Sequence, residues 1–131
     1  MNRPRVLVAL LLVALVGAVV RVQVAPAHDT TPGERQARRI VCAVFGSTCQ
    51  AALNVIRCET GSTFSVWSRN RSSGAFGWFQ WIPGNHGRVL EWNGRRVTID
   101  YSRAWQPWYA SRVTYVWTRG GTDWHEWTCR P

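Results

Sequence analysis

Apolar and polar positions change period several times along this chain. Residues 6–20 form an apolar run of 15 without a single charge, shorter than the roughly 20 residues that a membrane-spanning helix needs. Residues 28–33 are polar and contain Pro and Gly. Thr31-Pro32-Gly33-Glu34 then has the form of a capping box with proline at the first helical position. Ile40, Val41, Val44 and Phe45 supply the apolar stripe of that first helix, and Gly46 stops it. Ser47, with Gln50 three residues on, predicts the cap of a second helix carrying Cys49, Ala52, Leu53 and Ile56 on one face and ending at Gly61. Residues 61–87 read as loop, apart from the aromatic run Phe76-Gly77-Trp78-Phe79-Gln80-Trp81-Ile82 closed by Pro83-Gly84. Asn93-Gly94 at the centre of residues 89–99 predicts a hairpin, with Arg95 and Arg96 just beyond its turn. Pro107 opens a last helix in which Trp108, Tyr109, Arg112, Val113, Val116 and Trp117 keep helical spacing until Gly120-Gly121. The fold class is therefore mainly helical, with one short hairpin and a long loop region.

This periodicity places one acid unusually. Glu59 lies three residues after Ile56 and seven after Ala52, hence on the apolar face in the last turn of the second helix. Burial disfavours an ionised carboxylate, and so does the partial negative charge of a helix C-terminus. Both raise its pKa and suit it to proton donation. Periodicity alone leaves open a carboxylate turned to solvent and paired with Arg57 or Arg69.

Composition sharpens the compartment. Arg3 and Arg5, the apolar run and Ala25-Pro26-Ala27 make residues 1–27 a signal peptide, followed by a lead-in over 28–35 and a domain over 36–131. An uncleaved N-terminal anchor is the alternative, because Arg21 interrupts the approach to the cleavage site. Either places the domain outside the cytoplasm. Four cysteines, Cys42, Cys49, Cys58 and Cys129, predict two disulfides in a small exported chain. A zinc site would need clustered ligands, whereas no C-x-x-C pair exists and His28, His86 and His125 are scattered, so neither metal nor cofactor is expected. Beyond residue 27 the chain carries 13 arginines against seven acids, a net +6 with no lysine. Such a surface is drawn to anionic polymers or membranes. No nucleic-acid motif accompanies the arginines. All nine tryptophans lie between Trp67 and Trp127, more than a core of this size usually takes, so two or three are candidates to stack on sugar rings in a groove.

Three motifs then point to a family. Cys58-Glu59-Thr60-Gly61 resembles the C-E-S-G signature around the catalytic glutamate of resuscitation-promoting factors and related exported muramidases. Ser72-Ser73-Gly74-Ala75-Phe76-Gly77-Trp78-Phe79-Gln80 is similar to the S-x-G-A-x-G-L-M/F-Q segment of soluble lytic transglycosylases. Residues 121–129, Gly-Thr-Asp-Trp-His-Glu-Trp-Thr-Cys, resemble the G-W-x-P-W-x-C ending of the exported muramidases. Their order is more specific than any one of them. The resemblance implies an α+β lysozyme-like domain that cleaves peptidoglycan glycan strands as a monomer. Glu59 would protonate the glycosidic oxygen between N-acetylmuramic acid and N-acetylglucosamine, then complete the reaction as base. Gln80 would line the cleft, Ser73 and Asn70 would orient the substrate or the acid, and Gly77 would let backbone approach the sugar. Phe79 and Trp81 would be stacking walls, with Trp78 and one neighbour dividing between core and cleft. The resemblance also pairs Cys58 with Cys129, leaving Cys42 with Cys49.

The match has gaps. Trp78-Phe79 stands where the family carries leucine and methionine, and the A-Y-N-A-G segment whose tyrosine positions the acid has no counterpart, leaving Tyr109 or Tyr115 as substitutes. Hydrolysis with inversion needs a second carboxylate, with Glu91, Asp100, Asp123 and Glu126 as the choices besides the lead-in acids. Asp123 and Glu126 are expected on the solvated surface, so a single-carboxylate transglycosylase route asks less of this chain. Two rivals stand beside it. One is a non-catalytic wall-binding protein on the same fold. The other is a membrane-active Trp/Arg protein, with Arg103, Arg112 and Arg119 set around Trp108 and Trp117.

Overall fold

A computed structural model describes residues 30–131; the signal-peptide and anchor readings lie outside those residues. Thr31 caps helix α1 (Pro32–Phe45), its hydroxyl accepting from the Glu34 N–H at 3.2 Å. The domain thus begins inside the stretch read as lead-in, because the cap and Pro32 start the helix there. The Glu34 carboxylate does not close a box; it accepts from Arg57 on the neighbouring helix at 2.7 Å. Ala37, Ile40, Val41 and Phe45 form the buried stripe.

The corner after α1 departs from expectation. Gly46–Thr48 is a short 3-10 turn with Ser47 inside it, so Ser47 does not cap the next helix. Thr48 precedes helix α2 (Cys49–Glu59) but does not cap it with its side chain. Its hydroxyl instead contacts the carbonyls of Phe45 at 3.0 Å and Gly120 at 2.6 Å, tying the corner to the far end of the chain. Gly121 is required beside it, since a Cβ there would sit 2.5 Å from Thr48 Oγ1. The helical run Pro32–Glu59 is long and apolar enough by composition to cross a membrane. It is broken at Gly46, however, and the apolar faces on both sides of the break belong to one core.

Strands β1 (Val89–Trp92) and β2 (Arg95–Thr98) pair antiparallel, Trp92 opposite Arg95. Asn93 and Gly94 both take positive φ, 49° and 72°, as the two-residue turn demands. Helix α3 (Pro107–Trp117) packs against α1 and the hairpin. Its inner face is Ala110, Ser111, Val113, Thr114 and Val116, while Trp108 and Arg112 face solvent. The apolar stripe read from Trp108 and Arg112 is therefore rotated. Thr114 can be buried because its hydroxyl accepts the Trp81 indole N–H at 3.2 Å.

Four tryptophans are core: Trp78, Trp81, Trp124 and Trp127. Each indole N–H finds an acceptor, which makes burying so large a side chain tolerable. Trp78 donates to Phe64 O at 2.8 Å, Trp124 to Gly121 O at 2.9 Å and Trp127 to Phe79 O at 2.9 Å. Both disulfides, Cys42–Cys49 and Cys58–Cys129, are formed, as the family resemblance implies. The architecture is a small helix-rich domain with one two-stranded sheet, and the two cross-links suit an oxidising compartment.

Candidate active site

Glu59 is the last residue of α2. The Cys58–Cys129 bridge pins the C-terminal segment against that helix end. Next to the bridge, the Cys129 backbone N–H donates to Glu59 Oε1 at 3.2 Å. Half-burial pushes the Glu59 carboxyl above the usual glutamate range, and the Cys129 hydrogen bond opposes this without cancelling it. Among the described residues it has no cationic partner: Arg57 is taken by Glu34, and Arg69 lies over the Phe76 ring at 4.5 Å. A carboxyl so placed keeps its proton to higher pH than a free glutamate and can deliver it to a ligand.

The ligand space is an open cleft of about 750 Å³ with Glu59 in its wall. The loop of residues 68–82 supplies much of its lining, folded back by the bridges of Phe76 with Arg69 and with Trp81. Ser68, Asn70, Ser73 and Gln80 all reach the cleft from it, which brings the three polar residues expected there together with the acid. Asn70 and Ser73 are also engaged in shaping the loop. The Asn70 side-chain oxygen accepts from Ser72 and Ser73 N–H groups at 3.0 and 3.3 Å, and Ser73 Oγ accepts from Ala75 N–H at 3.2 Å. Gln80 stands at φ +48°, a left-handed conformation that costs a non-glycine residue energy. Its amide donates to Ser68 O at 2.9 Å and Gly77 O at 2.8 Å. These bonds use both N–H groups and leave Oε1 for the cleft.

Three expectations are corrected. Gly77 is needed for packing and not for approach to a ligand: at φ +79° a Cβ would lie 2.2 Å from Ala104 O, and the residue is outside the cleft lining. Phe79 and Trp81 border the cleft but are 1% and 2% exposed, so only their edges reach it and neither offers a face for stacking. Trp78 is equally buried, because the turn of Gly77 and Gln80 through positive φ breaks the alternation that would have turned one neighbour outward. Neither tyrosine substitutes for the missing segment. Tyr109 donates to Thr98 O at 2.8 Å, Tyr115 packs edge-on against Phe45 and Trp92, and neither lines the cleft.

Glu126, weighed on sequence as a second carboxylate and expected at the surface, is exposed as expected, and it also lines the same cleft as Glu59, beside Trp117 and Trp127. Burying Trp124 and Trp127 on either side fixes the segment that presents it. Arg88 grips its carboxylate with two hydrogen bonds, 2.5 and 2.8 Å, and holds it below the usual glutamate range. The other three acids considered lie elsewhere. Glu91 pairs with Arg96 at 2.5 Å on the hairpin, Asp100 accepts from Ser102 N–H at 3.1 Å, and Asp123 meets His125 at 2.5 Å. The membrane-active reading loses its geometric basis on α3, where Arg112 stands 5.5 Å over the Trp108 ring and shares its face. No family model, curated protein or solved structure matches the chain.

Proposed function

We propose that this protein is an exported lysozyme-like enzyme that cleaves the glycan strands of peptidoglycan, with Glu59 as the general acid. The observation that carries the reading is a half-buried carboxyl of raised pKa in the wall of an open cleft of about 750 Å³. Glu59 gives its proton to the oxygen leaving C1 of N-acetylmuramic acid, so that N-acetylglucosamine departs as an alcohol and positive charge develops on the ring. Gln80 Oε1 accepts from a sugar hydroxyl or acetamido N–H, held by the two bonds that fix its amide. Ser73 and Asn70 shape the rim that orients the chain. The arginine excess favours the anionic wall surface. The three motifs of the family resemblance support the same assignment.

The test is product release from purified peptidoglycan by the wild type and Glu59→Gln side by side. The wild type is expected to release muropeptides and the variant to lose at least about 100-fold of that rate, the usual contribution of a general acid. Equal release by both ends the catalytic claim. Wall binding without release by either leaves a wall-binding protein.

A further inference from the structure

We propose that Glu126 is the second carboxylate of this cleft and acts as the general base on an attacking water, making the reaction a hydrolysis. The inference rests on the glycan-cleaving reading of Glu59. On sequence the one-carboxylate route asks less, because Glu126 is expected at the surface; it is exposed there, but within the open cleft that Glu59 also lines.

Three features make Glu126 more than a rim acid. It shares the cleft with Glu59, yet the two have no hydrogen-bond partner in common. Its orientation is fixed by the two-pronged grip of Arg88, whose guanidinium in turn lies 5.0 Å over the Trp117 ring. Trp117 Nε1–H is buried without a well-formed hydrogen bond among the described residues, and it adds a weaker pull on the same carboxylate. The cleft thus holds one carboxyl pushed towards the protonated form and one kept ionised, the division of labour that acid and base require. Each carboxylate oxygen has two lone-pair directions, so the Arg88 bonds leave Glu126 able to accept from water.

The step balances. Glu59 transfers its proton to the leaving oxygen as the C1–O bond breaks. The water oxygen bonds to C1 and its proton passes to Glu126. Glu59 then takes up a proton from solvent and Glu126 releases one, restoring both. Inverting enzymes in general hold their two carboxyls roughly 6.5–9.5 Å apart, leaving room for the water.

The experiment digests purified peptidoglycan in ¹⁸O-water with the full exported chain. Wild type is expected to give muramic acid reducing ends that carry the label, and Glu126→Gln to make them at least about 100-fold more slowly. Because Glu126→Gln also loses the Arg88 pair, Glu126→Ala is assayed with added azide. Azide needs no base, so its nitrogen should bond to C1, with recovered turnover and a glycosyl azide product. A merely structural role for Glu126 gives no such rescue. Arg88→Met should move the acidic limb of the pH profile upward, since only the weaker pulls of Trp117 and of His125, 3.8 Å away, then remain to favour the ionised form. Anhydro-muramic ends from the wild type, or labelled ends formed at the wild-type rate by Glu126→Gln, overturn this proposal and leave Glu59 as the acid. No product from the wild type removes the underlying reading, and this inference with it.

Discussion

Glu59 and Cys129 meet across 70 residues of sequence, the backbone N–H of the second donating to the carboxylate of the first at 3.2 Å. The Cys58–Cys129 bridge tethers the residue that makes this contact to the one before Glu59, so the cross-link and the acid lie side by side. The desolvation that raises the Glu59 pKa is thereby set by how the chain end closes over the last turn of α2.

A first prediction concerns stability against pH. The folded state holds the Glu59 proton to higher pH than the unfolded chain, whose value is near 4.5. Its stabilising contribution is therefore complete below the unfolded value and is lost as pH rises through the raised native one. At neutral pH, above the unfolded value, the half-buried group costs stability, and Glu59→Gln should be the more stable protein, by the roughly 0.5–2 kcal/mol common for single stabilising substitutions. At pH 4 the gap should close. Thermal unfolding at both pH values checks this, and a variant that is less stable at pH 7 contradicts it.

The two disulfides should differ in worth. On chain entropy, the bridge spanning 71 residues restrains the unfolded state by about 4 kcal/mol and the one spanning 7 by about 2. Cys58→Ser with Cys129→Ser should lower the midpoint of denaturant unfolding more than Cys42→Ser with Cys49→Ser. It should also slow cleavage at temperatures where the protein remains folded, because the Cys129 N–H is no longer held on Glu59. Loss of stability without loss of rate would separate the bridge from the site.

Local chemistry was readable wherever one residue type answers one backbone demand. Thr31-Pro32 started a helix, Asn93-Gly94 made a tight turn, and Glu59 fell on the inner face of its helix for the reason periodicity supplies. Long-range demands were not readable. Ser47 fell inside a turn while Thr48, before the helix, reached Gly120, and α3 turned Thr114 inward where it accepts from Trp81. Glu126 is the exposed acid its sequence suggested, but its place in the cleft and its pairing with Arg88, 38 residues away, were not readable. The burial of two flanking tryptophans was the available signal, since W-x-x-W in a tail that must return to a cysteine confines the residues between.

Gly77→Ala separates packing from ligand approach. Its Cβ would meet Ala104 O at 2.2 Å in a backbone conformation with φ +79°, so overpacking should cost roughly 1–3 kcal/mol, with backbone strain added. Because Gly77 itself does not line the cleft, the rate of the folded fraction should be unchanged. A normal unfolding midpoint with impaired cleavage would return Gly77 to the substrate.

Gln80 should behave in two separable ways. Gln80→Ala removes the bonds to Ser68 O and Gly77 O, each worth about 1 kcal/mol, and leaves the left-handed backbone conformation in place. The unfolding midpoint should fall accordingly. If Oε1 also holds the sugar, affinity for purified peptidoglycan should drop by about tenfold, the equivalent of one lost neutral hydrogen bond with its partner left unsatisfied. That loss is read by co-sedimentation at a temperature where the variant is fully folded, with Glu59→Gln as background so that no strand is cut during the assay. A lower midpoint with unchanged sedimentation would make Gln80 a brace for the loop alone. The polar contact to substrate would then fall to Asn70 and Ser73, which share the cleft wall.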